Sequence, residues 1–78
     1  MIHTFENKEP TLEEAQELVG GYVTLLPLPP HMQNGEMQVL VNEEGLLKGL
    51  PLNEKASQMF QQKIVGSVVI LKGKARWT

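Results

Sequence analysis

Leu18-Val19-Gly20-Gly21-Tyr22 and, further along, Asn42-Glu43-Glu44-Gly45-Leu46-Leu47-Lys48-Gly49-Leu50-Pro51-Leu52-Asn53 are the stretches whose reading decides the fold. Each joins a helix or turn signal to an apolar, strand-like run, with glycine where the chain must bend. Before the first stretch, Pro10 leads into Thr11-Leu12-Glu13-Glu14. There the Thr11 hydroxyl can accept from a first-turn amide while Glu14 reaches back to the Thr11 amide, the pattern of a capping box. Leu12, Ala15, Leu18 and Val19 fall on one face, so an amphipathic helix is expected from Thr11 to Gly20. The paired glycines then let the chain take the left-handed turn that closes a helix and leave as a strand.

Tyr22 to Leu26 is aromatic, β-branched and leucine in type, and it stops at Pro27-Leu28-Pro29-Pro30. Asn34-Gly35 is a turn signal that sends the chain back as an antiparallel strand over Met37 to Asn42. Met37, Val39 and Val41 alternate there with Gln38, Leu40 and Asn42, which predicts one core face and one half-wet face. Asn42 to Gly45 reads as the next turn, after which Leu46 and Leu47 are expected to open a short third strand or extended segment, interrupted by Gly49 and Pro51. Asn53 is the expected N-cap of a second helix running to about Gln62, with Leu52, Ala56, Met59 and Phe60 facing inward. Val68-Val69-Ile70-Leu71 is apolar on both faces, the mark of an interior strand or of one whose second face meets a partner. Ile2 to Phe5 is a candidate edge strand.

These elements predict a small α+β domain: a mostly antiparallel sheet of three or four strands with two short helices on one face. Seventy-eight residues make one domain, 1–78, whose last residues, 73–78, read as a flexible basic tail. A chain of this size buries only about 60% of its surface on folding, which favours a modest core or self-association. With Cys 0, disulfides, thiolate metal sites and cysteine nucleophiles are excluded. The longest apolar runs are far short of the roughly 20 residues of a membrane helix, and the first residues lack the pattern of a secretory signal. A cytoplasmic protein with no membrane segment is therefore the expectation.

The net charge of -2 conceals an asymmetry. All the acids lie before residue 63, whereas Lys63, Lys72, Lys74 and Arg76 form an acid-free C-terminal stretch. An acidic body repels polyphosphate, so generic nucleic-acid binding is not expected unless the tail, with Trp77, acts alone.

Three segments together, Leu12 to Val23, Val39 to Ala56 and Ile64-Val65-Gly66, resemble the family called domain of unknown function 3846. The resemblance spans Thr11 to about Ile70. It implies origin in a phage or mobile element and action in the cytoplasm of a bacterial host, and it carries no activity, cofactor or site residue to transfer.

The residues themselves offer little chemistry. His3 and His31 have no carboxylate at helical or strand spacing, so no metal site is expected. Glu43 and Glu44 are adjacent turn carboxylates, better explained by solvation than by acid–base work. Gly20-Gly21 follows a helix, the wrong order for a phosphate cradle. Ser57 and Ser67 lack a nucleophile setting. Pro27 and Pro30 have Pro-x-x-Pro spacing, but between two paired strands they read as a rigid connector. No catalytic residue and no cofactor is assigned.

The leading reading is a non-enzymatic interaction protein binding a host or phage protein. Leu28, His31 and Met32 form a candidate apolar tip for such a partner. The alternative is an oligomer that sequesters a small ligand such as a nucleotide, with Tyr22, Lys48, Arg76 and the Trp77 region as candidate contacts. A dimer is expected in either case, through a sheet edge or through Val69, Ile70 and Leu71 on the outer face of the last strand. Two helices on one face would leave the other bare.

Overall fold

The computed structural model describes residues 1–33 and 35–77. Its elements run β1 (Ile2–Phe5), α1 (Leu12–Val19), β2 (Val23–Leu25), β3 (Met37–Asn42), α2 (Glu54–Phe60) and β4 (Val68–Lys72), with 3₁₀ turns at Pro30–Met32 and Gly73–Ala75. The strands form one sheet in the order β1-β4-β3-β2. β2 runs antiparallel to β3, β3 antiparallel to β4, and β1 parallel to β4. The fold is thus α+β with a mixed, mostly antiparallel sheet.

Local chemistry accounts for α1. The Thr11 hydroxyl accepts from the Glu14 amide at 3.1 Å, and the Glu14 carboxylate accepts from the Thr11 amide at 3.0 Å. The Thr11 backbone amide first, and the Thr11 side chain second, hold the Glu14 carboxyl below its ordinary pKa. Gly20, at φ 80, closes the helix and donates to the Gln16 carbonyl. Ala15 and Val19 are buried, but Leu12, expected on the same face, is exposed.

The two helices lie on opposite faces of the sheet, not on one. Val39, Val68 and Ile70 pack with Ala56 and Phe60 of α2 and with Ile64. The alternate residues Leu40, Val69 and Leu71 pack with Ala15 and Val19 of α1. Topology explains this. The connection from β1 to β2 crosses the sheet from one edge to the other and carries α1 over one face, whereas the β3–β4 connection lays α2 on the other. Both faces of β3 are therefore core rather than one being half wet. β4, apolar on both faces, is an interior strand, and Val69, Ile70 and Leu71 are at most 2% exposed. The expected dimer face is consequently filled within one chain.

Leu46 and Leu47 form no strand. The Asn42 side-chain oxygen accepts from the Glu44 amide at 2.8 Å. The Lys48 amide then bonds the Glu44 carbonyl and the Leu50 amide the Gly45 carbonyl, winding residues 43–49 into a tight turn. Side-chain bonding at Asn42 outcompetes an extended backbone here, and Gly49 at φ 66 ends the turn. Leu52, expected to face inward, is 49% exposed in an isolated bridge to Val65, and Met59 is 41% exposed. Asn53 caps α2 as expected, and Gln61 at φ 55 closes it. The expected turn residue Asn34 lies outside the described residues, as does Thr78 of the tail; its neighbour Gly35 has φ 77.

Residues 73–77 are docked. Ala75 is buried, and the Trp77 indole N–H donates to the Pro10 carbonyl at 3.0 Å while its backbone exchanges two hydrogen bonds with the Gln38 amide side chain.

Candidate functional site

Three segments distant in sequence converge where β3 begins and β4 ends. Pro30 starts a 3₁₀ turn whose bonds, Met32 amide to Pro29 carbonyl and Gln33 amide to Pro30 carbonyl, set the backbone of His31 and Met32. The Gln33 side chain fastens the turn by donating to the Leu28 carbonyl at 2.6 Å. Opposite it, Met37 of β3 pairs across the ladder with Lys72 of β4. Gly73, at φ 54, then turns the chain so that the Arg76 Nε can donate to the Gly73 carbonyl at 3.0 Å. That bond restrains the guanidinium while leaving it exposed.

His31, Met32, Glu36, Met37, Lys72 and Arg76 line an open cleft of about 590 Å³. A second hollow of about 520 Å³ continues from it, sharing Met32, Met37 and Lys72 and extending under α2 to Lys55 and Met59. Phe60 and Ile70, from the core, contribute to that second hollow. The result is a groove with a soft, sulfur-rich wall, Lys55 in one hollow, Arg76 in the other and Lys72 between them. Three of the four methionines of the chain line it. Unbranched thioether side chains adapt to varied apolar partners. Glu36 is the one carboxylate among the lining residues of the two hollows.

Of the residues singled out in the sequence, the structure brings together His31, Met32 and Arg76. Leu28 is half-buried and packs against the α2-face core. Tyr22 and Lys48 sit at the far end of the sheet. The Lys48 ammonium lies 3.4 Å from the Gly20 carbonyl, and Tyr22 is 65% exposed. The five-residue length of β3 beyond Met37 separates them from Arg76 by roughly 17 Å, so they do not share a site with it. Trp77 packs on the opposite face, against the α1-side core. Met37, Met59, Lys55 and Lys72 were not among the candidates. Residues 32, 37 and 59 come together only through strand pairing and the placement of α2, and no spacing along the chain signals it.

Among the described residues, no three histidine, cysteine, aspartate or glutamate side chains come together as a metal site. Also among the described residues, no helix is long and apolar enough to cross a membrane.

The chain matches the family described as domain of unknown function (DUF3846) over residues 2–77. It belongs to that family. The match takes in β1 and the docked C-terminal turn as well as the segments that carry the resemblance in the sequence, so the whole sheet is part of the family's domain. No curated protein and no solved structure matches the chain.

Proposed function

We propose that this member of the DUF3846 family is a non-enzymatic interaction module whose α2-face groove receives an acidic peptide segment anchored by apolar side chains. One observation carries the reading: Met32, Met37 and Met59 form an apolar wall along two adjoining hollows, with Lys55 in one, Arg76 in the other and Lys72 shared by both. Adaptable methionines suit apolar anchors of varied shape, and the exposed cations suit carboxylates flanking them and speed the encounter. The resemblance to phage and mobile-element proteins supports a partner in the bacterial host cytoplasm. A nucleotide is the less fitting occupant, since the groove wall is mostly flexible thioether and His31 is the one exposed aromatic ring among its described lining residues for a base to stack on.

Selection of random dodecapeptides on the immobilised protein tests the reading. Selected sequences should be enriched in aspartate and glutamate next to leucine, isoleucine, methionine or phenylalanine. In methionine-methyl NMR spectra they should shift the Met32, Met37 and Met59 signals and leave Met1 in place. Lys72→Glu combined with Arg76→Glu should weaken binding by at least about tenfold, or about 1.4 kcal/mol. Enrichment of basic sequences, shifts elsewhere, or displacement of the methyl signals by mononucleotides and not by peptides would overturn it.

A further inference from the structure

β2 is an open edge with unusual properties. The Glu43 amide donates to the Tyr22 carbonyl and the Leu26 amide to the Val39 carbonyl, both at 2.8 Å. Antiparallel pairing alternates, so Tyr22, Thr24 and Leu26 direct their backbone groups at β3, and Val23 and Leu25 direct theirs away from the sheet. No charged side chain lies between Tyr22 and Leu26 to guard this edge, whereas soluble proteins normally blunt such edges with charge. The apolar side chains around it are also exposed: Leu25 at 55%, Tyr22 at 65%, Leu46 at 70% and Leu47 at 87%. Leu46 and Leu47 share a hollow with Thr24 and Leu26, which places them beside the same edge; Glu43 and Lys63, of opposite sign, line that hollow as well, whereas the strand itself carries no charge.

The other edge differs. The Val68 amide donates to the Met1 carbonyl, so in β1 it is Ile2 and Thr4 that face outward. Those two share a hollow with Lys55 and Lys72, whose charges disfavour an incoming strand.

We infer that β2 pairs with β2 of a second copy of this chain, antiparallel about a two-fold axis at Thr24, joining two four-stranded sheets into one of eight strands. The sequence is self-complementary in that register. Val23 of each copy meets Leu25 of the other as a hydrogen-bonded pair, giving four new backbone bonds. Thr24 meets Thr24, and Tyr22 meets Leu26, in the closely spaced non-bonded positions where side chains touch best. Gly21 falls opposite Pro27, which has no amide to offer and ends the pairing. A two-fold axis demands that the same patch serve both copies, and this short strand meets that demand without opposing a single pair of like charges.

The four exposed apolar side chains present on the order of 500 Å² per copy, taking about 200 Å² for a fully exposed side chain of this size. That falls short of the roughly 800 Å² per partner of a standard interface, so a weak, concentration-dependent dimer is expected. This inference uses the β2 edge and stands independently of the peptide groove.

Sedimentation velocity on the full chain over a hundredfold range, from about 5 to 500 μM, tests it, since a weak association is read by mass action. A concentration-dependent monomer–dimer equilibrium is expected. Leu25→Pro removes an outward amide that β3 does not use, and Leu47→Glu charges the apolar rim; both should sediment as monomers while still melting cooperatively. Amide exchange by NMR on the unaltered chain gives a second reading that needs no variant. The Val23 and Leu25 amides should gain protection with concentration, while those of Ile2 and Thr4 should not. A strictly monomeric mass throughout, a dimer that survives Leu25→Pro, or protection appearing at β1 instead would overturn the inference.

Discussion

Replacing Asn53 by alanine should destabilise the fold by roughly 2–4 kcal/mol, because one buried side chain performs two tasks. Its carbonyl oxygen accepts from the Ala56 amide at 3.1 Å and caps α2. Its amide nitrogen donates to the Gly66 carbonyl at 2.9 Å, joining the start of the helix to the approach of β4. The residue is only 3% exposed, so water cannot readily replace either bond. Loss of the cap costs about 1 kcal/mol, and a buried carbonyl left without its donor costs about 1–3 kcal/mol more. A chain of this length has a total stability of roughly 4–12 kcal/mol, and each kcal/mol moves the melting temperature of so small a domain by about 4–8 °C. Urea titration followed by circular dichroism should therefore show a large fall in midpoint with an unchanged slope. Asn53→Ser separates the tasks, since serine caps but is too short to reach Gly66, and it should retain about 1 kcal/mol relative to alanine. An alanine variant losing less than about 1 kcal/mol would refute the bridging role, and a serine variant no better than alanine would refute the capping role.

Gly20→Val should cost more than about 1 kcal/mol, and Gly20→Asn distinctly less, in thermal melts. A Cβ at Gly20 meets nothing within 4 Å, so the penalty comes from its φ of 80 alone, and equal melting of the valine variant and the parent would show that α1 does not need this stop. Glu14 gives a pH dependence of known sign. Its pKa is lowered by the Thr11 backbone and side-chain hydrogen bonds, so its contribution is present above the ordinary carboxylate value and is lost as pH falls through the lowered one. Stability curves of the parent and Glu14→Gln should therefore differ at neutral pH and converge in acid; parallel curves down to pH 2 would contradict the capping box.

What the sequence made legible was local. The capping box, the glycine stop of α1, the span of β3 and the cap at Asn53 each depend on residues within a few positions of one another, and each is found in the structure. Most of the errors arose where distant segments decide, and one, at Leu46 and Leu47, arose locally. Nothing near Val68 to Leu71 says which connection covers which face, so placing both helices on one side left a bare face that the structure fills. Leu46 and Leu47 have strand-like chemistry, but the Asn42 side chain captures the Glu44 amide and the turn closes before a strand can form. The same limit applies to the groove. His31, Met32 and Arg76 stood out individually, while Met37 and Lys72 joined them only through cross-strand register, and Lys55 and Met59 only through the position of α2.

The two proposed surfaces bear on one another through the strand order. The groove lies over β1, β4 and the start of β3, and the pairing edge is β2, so a β2–β2 dimer would leave both grooves open toward the outer edges of a continuous sheet. Between β4 of one copy and β4 of the other there are five strand spacings, or roughly 24 Å, and because Met37 and Lys72 lie four residues along the strands from the level of Thr24 and Val41, the two-fold axis also offsets the grooves by roughly 27 Å, for a separation of roughly 36 Å. A partner bearing two acidic, apolar-anchored segments would need about eleven extended residues to span that gap. With such a linker the second segment binds at an effective concentration set by the linker rather than by bulk partner, and modest single-site affinities combine into a much tighter complex. A weak interface and a weak groove, each within reach of so small a domain, would then suffice for firm capture of a repetitive or dimeric partner while leaving single acidic segments largely unbound.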